Sequence, residues 1–132
     1  MTGRALVGFS DETRLKRLLP LARGFRHCFV LVERPDRTVL IDPLSDRLIV
    51  ESFAEIGLDE AAAQWRAAGF TVVPASIRDP ARPAPAAPMS CVEVVKRVLG
   101  IHARHVVTPH QLYRLLLRET TAENMMASEK IP

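Results

Sequence analysis

A cysteine stands at the start of a helix that the sequence predicts from residue 90 onward. Ser90 is a favourable N-cap, and Glu93, three residues later, completes a capping box that satisfies backbone donors at the first turn. Cys91 then occupies the first helical position, where free N–H groups and the positive end of the helix dipole favour the thiolate. A thiolate attacks carbonyl carbon atoms, so this position predicts a nucleophile. The alternative is a free cysteine that only packs in the core.

A cysteine nucleophile needs a general base, normally a histidine, and a third polar group that orients the base. His27 lies on a strand predicted over residues 26–33, where side chains are held more rigidly than on a loop. If the hairpin closes tightly around Pro35 and Asp36, Asp42 lies diagonally from His27 on the same face of the sheet. Asp42 is therefore the predicted orienting group. A shift in register leaves other candidates, namely Glu33, Ser45 and Asp46.

Each of these side chains also has a purely structural interpretation. As a structural residue, His27 would pack beside Phe29 on one sheet face. Cys28 alternates to the opposite face of the strand, so we expect it in the core. Asp42 precedes Pro43, in a position where a carboxylate often accepts hydrogen bonds from the N–H groups of a turn. The sequence alone leaves the structural and the catalytic interpretations open.

Metal and disulfide sites are not predicted. His102, His105 and His110 surround a loop between the last two helices, but no carboxylate or cysteine accompanies them, so a solvated loop is favoured over a metal site. The chain has only two cysteines, Cys28 and Cys91, which are too few for a disulfide framework and too far apart for a zinc knuckle. We therefore expect reduced thiols and no metal site.

Length and composition predict one globular domain. The chain has 132 residues, of which 48% are hydrophobic and 25% charged, a balance typical of folded domains. We expect a single domain over residues 1–119 and a C-terminal tail over 120–132, where no periodic apolar pattern is present. No apolar run is long enough for a membrane span, and the first residues lack the apolar stretch of a signal peptide.

The net charge of +3 comes mainly from arginine, which supplies 15 of the 18 basic residues. These arginines are scattered along the chain and are faced by 15 acidic residues. A nucleic-acid-binding surface would concentrate its basic residues on one patch. The composition therefore argues against direct nucleic-acid binding and favours a solvated surface with some protein contacts.

The hydrophobic patterns predict an α+β fold in which a small antiparallel sheet packs against helices. Pro74 places its strand at a sheet edge or a strand end. The predicted loop over residues 100–107 is too long for the tight turn of a helix-turn-helix motif. The predicted strands are 4–9, 26–33, 38–41, 46–51 and 70–77, the predicted helices are 10–19, 59–68, 90–99 and 108–119, and a stiff proline-rich connector covers 79–88.

The order of these parts, Gly24-Phe25-Arg26-His27-Cys28-Phe29-Val30 first and Pro88-Met89-Ser90-Cys91-Val92-Glu93-Val94-Val95-Lys96 later, resembles the circularly permuted NlpC-type branch of the papain-like cysteine peptidases and amidases. The resemblance covers roughly residues 24–118. It implies a papain-like single domain and thiol attack on an amide or ester carbonyl, without a cofactor. It also implies Cys91 as nucleophile, His27 as base and Asp42 as the third member, with cell-wall peptides or acyl-linked groups as substrates.

A second resemblance concerns the run from Cys91 to Leu117, which looks like small proteins carried by tailed phages and prophages. It implies a chain made in the cytoplasm and incorporated into a virion, where it contacts other virion or tail proteins. The alternative to an enzyme is therefore a non-catalytic virion or tail component on the same fold.

Overall fold

The computed structural model describes residues 3–11, 26–44, 47–80, 83–84 and 86–129. These residues form an antiparallel sheet of five strands and three helices, which confirms the predicted α+β class. The strands are β1 (Gly3–Ser10), β2 (His27–Glu33), β3 (Thr38–Pro43), β4 (Leu48–Phe53) and β5 (Thr71–Ile77), and the helices are α1 (Leu58–Ala67), α2 (Cys91–Leu99) and α3 (Pro109–Glu129).

The strands lie in the order β4-β3-β2-β1-β5, and every neighbouring pair is antiparallel. Strands β2, β3 and β4 are neighbours in the order of the chain and form a meander. Pro74 lies on β5 at one edge of this sheet, where its missing N–H removes no hydrogen bond from a further strand.

The hairpin of β2 and β3 has the predicted register. Val30 pairs with Ile41, and the Arg34 N–H donates to the Arg37 carbonyl oxygen at 2.8 Å. Only Pro35 and Asp36 lie between those two residues, so the turn is tight. The two-residue loop produces this register, which the sequence alone left open to a shift.

Helices cover both faces of the sheet. On one face, α2 and α3 bury alternate residues of the central strands, including Val30 and Cys28, which is fully buried. On the other face, α1 packs on a smaller cluster that includes Leu31. The alternation of side chains along β2 explains why neighbouring residues belong to different clusters. The expected core position of Cys28 is confirmed.

One of the two hydrogen bonds of the predicted capping box of α2 is present. The Ser90 Oγ accepts a hydrogen bond from the Glu93 N–H at 3.2 Å. The Ser90 N–H donates to the Pro88 carbonyl oxygen, so the Glu93 carboxylate does not return the bond. It instead pairs with Lys96 at 3.1 Å and Arg97 at 3.3 Å, and the helix start is held by the Ser90 hydroxyl.

The end of α2 is fixed by a glycine and a buried lysine. Gly100 has a φ of 77°, a left-handed conformation that glycine adopts without strain. The buried Lys96 Nζ donates to the carbonyl oxygens of Ala103 and Val106, both at 2.8 Å. These bonds satisfy the ammonium group and hold the loop that joins α2 to α3.

The predicted end of the last helix was wrong. We expected the helix to stop near Glu119 and a loose tail over residues 120–132, whereas α3 continues to Glu129. Residues 120–129 contain no glycine or proline and are rich in Ala, Glu and Met, which favour helix propagation. The lack of apolar periodicity predicts that this part of the chain packs little, and residues 121–124 are indeed exposed. A lack of periodicity does not, however, end a helix.

Two other predictions differ from the structure or lie outside it. The strand predicted over residues 46–51 begins later, at Leu48, because the Leu44 N–H bonds to the Arg47 carbonyl oxygen and closes the preceding turn at 2.8 Å. Ser10, the expected start of the helix over 10–19, belongs to β1. The rest of that helix falls almost wholly on residues 12–25, outside the described residues.

Candidate active site

The side chains of His27 and Asp42 meet at one end of the sheet. The His27 Nε2 lies 2.6 Å from the Asp42 Oδ1, and the two side chains are only 12% and 26% exposed. His27 is the first residue of β2 and Asp42 lies near the end of β3, so the hairpin register sets this contact. The Asp42 carboxylate can orient the ring and stabilise its charged form.

The backbone N–H of Cys28 is directed to the place where β2 and β3 separate. Arg34 donates across the hairpin to Arg37, and antiparallel strands repeat this pattern at every second residue. The N–H groups of Val30 and Cys28 are therefore on the same side of β2, facing β3. The β2–β3 pairing, however, ends at Val30 and Ile41. The N–H of Cys28 is thus left for another acceptor.

That acceptor is Cys91, the first residue of α2. Its sulfur is hydrogen-bonded with the Cys28 side chain, the His27 side chain and the Cys28 backbone. The Cys91 side chain is half-buried and packs against the core cluster that contains Cys28. Three elements, β2, β3 and α2, therefore bring His27, Asp42 and Cys91 to one site.

The surroundings of Cys91 favour the thiolate. Its pKa is lowered from 9.0 to about 5 by the hydrogen bond from the Cys28 side chain first, and then by the hydrogen bonds of the His27 ring and the Cys28 backbone and by the His27 charge. Burial acts in the opposite direction but is outweighed. The free N–H groups at the start of α2 favour the same ionised form.

His27 favours the imidazolium. Burial by itself lowers its pKa, but the hydrogen bond to Asp42 and then the hydrogen bond and charge of Cys91 outweigh burial and raise the pKa from 6.5 to about 9. Because Nε2 is bonded to Asp42, Nδ1 is the ring nitrogen available to the thiol. The site therefore holds a thiolate and an imidazolium between about pH 5 and pH 9.

Cys28 is the opposite kind of thiol. Burial is the largest cause that raises its pKa well above the usual 9.0, and the contact with Cys91 adds to it. Cys28 thus stays protonated and donates its S–H to the Cys91 sulfur. The sequence analysis did not assign this role to Cys28. The signal for it is the pair of adjacent residues His27 and Cys28 at the start of a strand, because they place a ring and a thiol on opposite sides of one strand end.

Aromatic rings support His27 from the α1 side of the sheet. The Phe29 ring lies 6.0 Å from the His27 ring and packs edge-on against Trp65 at 4.8 Å and Phe70 at 5.5 Å. A Cβ atom at Gly8 would overlap the Phe29 ring, so this glycine lets the ring lie flat on β1. The expected neighbourhood of His27 and Phe29 is present together with the Asp42 contact.

Ser10 is a further polar group beside the site. It is opposite His27 in the pairing of β1 and β2, and its side chain is buried. Within the described part of the chain its Oγ is one of two buried side-chain atoms without a hydrogen-bond partner, the other being the Arg26 Nε. Residues 12–25 separate β1 from β2 in the sequence, so local sequence patterns could not place Ser10 opposite His27.

The other candidates of the sequence lie elsewhere. Glu33 is at the far end of β2, where it pairs with Arg4 at 3.5 Å, while Ser45 and Asp46 fall outside the described residues. His102 and His105 lie in the loop after α2 and His110 lies in the first turn of α3. Among the residues described, no group of three or more His, Cys, Asp and Glu side chains is arranged to hold a metal ion.

The chain matches no protein-family model, no curated protein and no solved structure. The function is therefore inferred from the geometry of the site.

One cavity lies away from this site. Its volume is about 740 Å³, and it is lined by the hairpin turn around Pro35 and by the chain between β4 and α1. That turn is at the opposite end of β2 from His27, a distance of roughly 20 Å for a strand of this length.

We also find no helix in the described ranges that is long and apolar enough to cross a membrane.

Proposed function

We propose that this chain is a cysteine hydrolase that cleaves an amide or ester bond. Cys91 is the nucleophile, His27 is the general acid and base, and Asp42 orients His27. The observation that supports this proposal is the hydrogen-bonded series from Asp42 through His27 to Cys91, with the sulfur at a helix start. Nucleophile, base and orienting group in contact are the arrangement that covalent acyl transfer requires.

In the first half of the reaction the Cys91 thiolate attacks the carbonyl carbon of the substrate. The carbonyl oxygen becomes negatively charged, and the N–H groups of the first turn of α2, which have no partner within the helix, favour that charge. The His27 imidazolium then gives its Nδ1 proton to the leaving nitrogen or oxygen. The products of this half are a thioester on Cys91 and a neutral His27.

In the second half neutral His27 takes a proton from water, and the resulting hydroxide attacks the thioester. The acid product leaves as Cys91 becomes a thiolate again and His27 is an imidazolium. Asp42 keeps the ring in place in both halves. The reaction needs no cofactor.

The substrate class and the biological setting belong to the same proposal. The resemblance to the permuted NlpC-type branch favours cell-wall peptides or acyl-linked groups as substrates. The resemblance to tailed-phage proteins favours a virion or tail location. A non-catalytic virion or tail component on the same fold is the alternative that a lack of turnover would favour.

The test combines an activated ester with mass spectrometry. The wild-type protein should release the alcohol of p-nitrophenyl acetate with a burst and carry a transient acetyl group on the peptide that contains Cys91. Cys91→Ser should lose the burst, and His27→Ala should slow both acylation and deacylation. His105→Ala, which changes an exposed histidine of the loop, is the matched control and should behave as wild type.

Purified peptidoglycan and its muropeptides form the second arm of this test. New fragments that depend on Cys91 and His27 would support cleavage of cell-wall peptides. An acetyl group that forms at other residues, or equal turnover by wild type and Cys91→Ser, would contradict the proposed hydrolase.

A further inference from the structure

The two cysteines of the chain lie together although they are 63 positions apart in the sequence, from residue 28 to residue 91. The Cys28 side chain is hydrogen-bonded with the Cys91 sulfur, and both pack in the same core cluster. Cys28 is completely buried, whereas Cys91 is half-buried and can be reached from solvent. The hydrolytic mechanism uses Cys91 and leaves the Cys28 sulfur without a chemical step.

A reactive thiolate beside a second thiol is the arrangement found in thiols that are oxidised reversibly. The exposed sulfur meets the oxidant, and the neighbouring thiol then forms a disulfide with it before further oxidation occurs. The structure provides both parts, since Cys91 is the activated thiol and Cys28 the protected one.

We propose that Cys91 is a site of reversible oxidation by hydroperoxides and that Cys28 is its resolving cysteine. The product is a disulfide between Cys28 and Cys91, which removes the nucleophile and stops hydrolysis until a thiol reductant restores it. This inference rests on the activated Cys91 of the proposed function for its regulatory meaning, but the oxidation itself does not require turnover of any substrate.

The first step forms a sulfenic acid. The Cys91 thiolate attacks one oxygen of the hydroperoxide, so that an S–O bond forms and the O–O bond breaks. The sulfur is oxidised and the peroxide reduced by one electron pair. The leaving alkoxide or hydroxide takes a proton from the His27 imidazolium, which lies within hydrogen-bond contact of the sulfur.

The second step forms the disulfide. The Cys28 sulfur attacks the Cys91 sulfur, the S–S bond forms and the S–O bond breaks. The proton of Cys28 leaves with the hydroxide as water. A dithiol reverses the reaction by thiol–disulfide exchange, and both cysteines return to the reduced state.

The experiment treats the full-length protein with one to a few equivalents of hydrogen peroxide, blocks free thiols with iodoacetamide, and digests it with trypsin. Each cysteine falls on a separate tryptic peptide, residues 27–37 and 79–96, because trypsin does not cleave before Pro35 or Pro83. We expect these two peptides joined by a disulfide, with labelling of Cys91 reduced about tenfold and recovered after dithiothreitol. This measurement needs no variant.

Cys28→Ala provides the second arm, with a thermal melt to confirm that it folds. Without its resolving partner, Cys91 should collect one oxygen atom and then two, and dithiothreitol should not recover the second product. Cys91→Ser should leave Cys28 unmodified, since that thiol is buried and protonated.

Two results would overturn the inference. One is wild-type Cys91 that passes directly to the sulfinic acid without the joined peptides, and the other is identical oxidation products in wild type and Cys28→Ala. The fate of the hydrolase proposal is separate. A disulfide without any acyl-enzyme rejects the hydrolase alone, and an acyl-enzyme without the disulfide rejects the oxidation site alone.

Discussion

Asp42→Asn removes one charge from the site and keeps the shape of the side chain, since an asparagine oxygen can still accept the bond from the His27 Nε2. In the wild-type protein that bond is 2.6 Å long and nearly buried. The pKa of His27 rises from 6.5 to about 9, although burial alone would lower it, and Asp42 is the first of the groups that raise it. A rise of this size corresponds to roughly 3 kcal/mol in favour of the imidazolium.

Asp42 raises this pKa mainly through its hydrogen bond, and a neutral amide oxygen accepts a weaker bond from an imidazolium than a carboxylate does. Asp42→Asn should therefore forfeit about 1 to 2 kcal/mol, or roughly five- to thirtyfold in the constant for the ion pair. The Cys91 thiolate then loses part of its counter-charge, so its pKa should rise. Alkylation of Cys91 by iodoacetamide should slow most below about pH 5, the pKa of the wild-type thiol, where the slowing approaches the same factor. At alkaline pH the rates of wild type and Asp42→Asn should converge, because the thiol then ionises without the help of His27.

The matched control is Asp36→Asn, which changes an exposed aspartate beside Arg37 at the opposite end of the same hairpin. It should reproduce the wild-type alkylation profile. An Asp42→Asn profile equal to wild type would refute the orienting role of Asp42. A slowing by the same factor at every pH would show that the variant changes access to Cys91 and not its ionisation.

Three further outcomes test the elements that hold the site. Ser90→Ala should lower the free energy of unfolding by about 1 kcal/mol in urea denaturation, while Ser90→Asp keeps the cap; equal losses in both variants would contradict the role of the hydroxyl. Gly100→Ala should lower the free energy of unfolding by more than about 2 kcal/mol, because a Cβ at this positive φ overlaps backbone atoms. Gly57→Ala, where a Cβ meets nothing within 4 Å, should cost less. The reverse order would reject this geometry. Native protein should take up one equivalent of iodoacetamide, on Cys91, and Cys28 should react only after unfolding, so early labelling of Cys28 would contradict its burial.

The hairpin and the start of α2 could be predicted because their signals are local. A tight turn at Pro35 and Asp36, assumed from the sequence, sets the pairing of β2 with β3 and so brings Asp42 to His27. Ser90 fixes the first turn of α2, which places Cys91 at the helix start. Each of these inferences depends on residues within a short stretch of chain, where backbone geometry leaves few alternatives.

The meeting of Cys91 with Cys28 could not be derived in the same way. It depends on where β2 and β3 separate and on how α2 packs across the sheet, and both are tertiary features. The position of Ser10 opposite His27 is likewise set by pairing between strands that residues 12–25 separate. The end of α3 was misjudged for another reason, since the absence of an apolar pattern after Glu119 predicts exposure and was taken as the absence of a helix.

The central claim is that Cys91 is a thiolate paired with the His27 imidazolium near neutral pH. The most direct measurement is the ultraviolet absorbance of the thiolate during a pH titration, taken as the difference between wild type and Cys91→Ser. The absorbance should be half developed near pH 5 and should move to higher pH in His27→Ala. An absorbance that develops only near pH 9, the ordinary range of a thiol, or a titration that His27→Ala does not change, would contradict the claim.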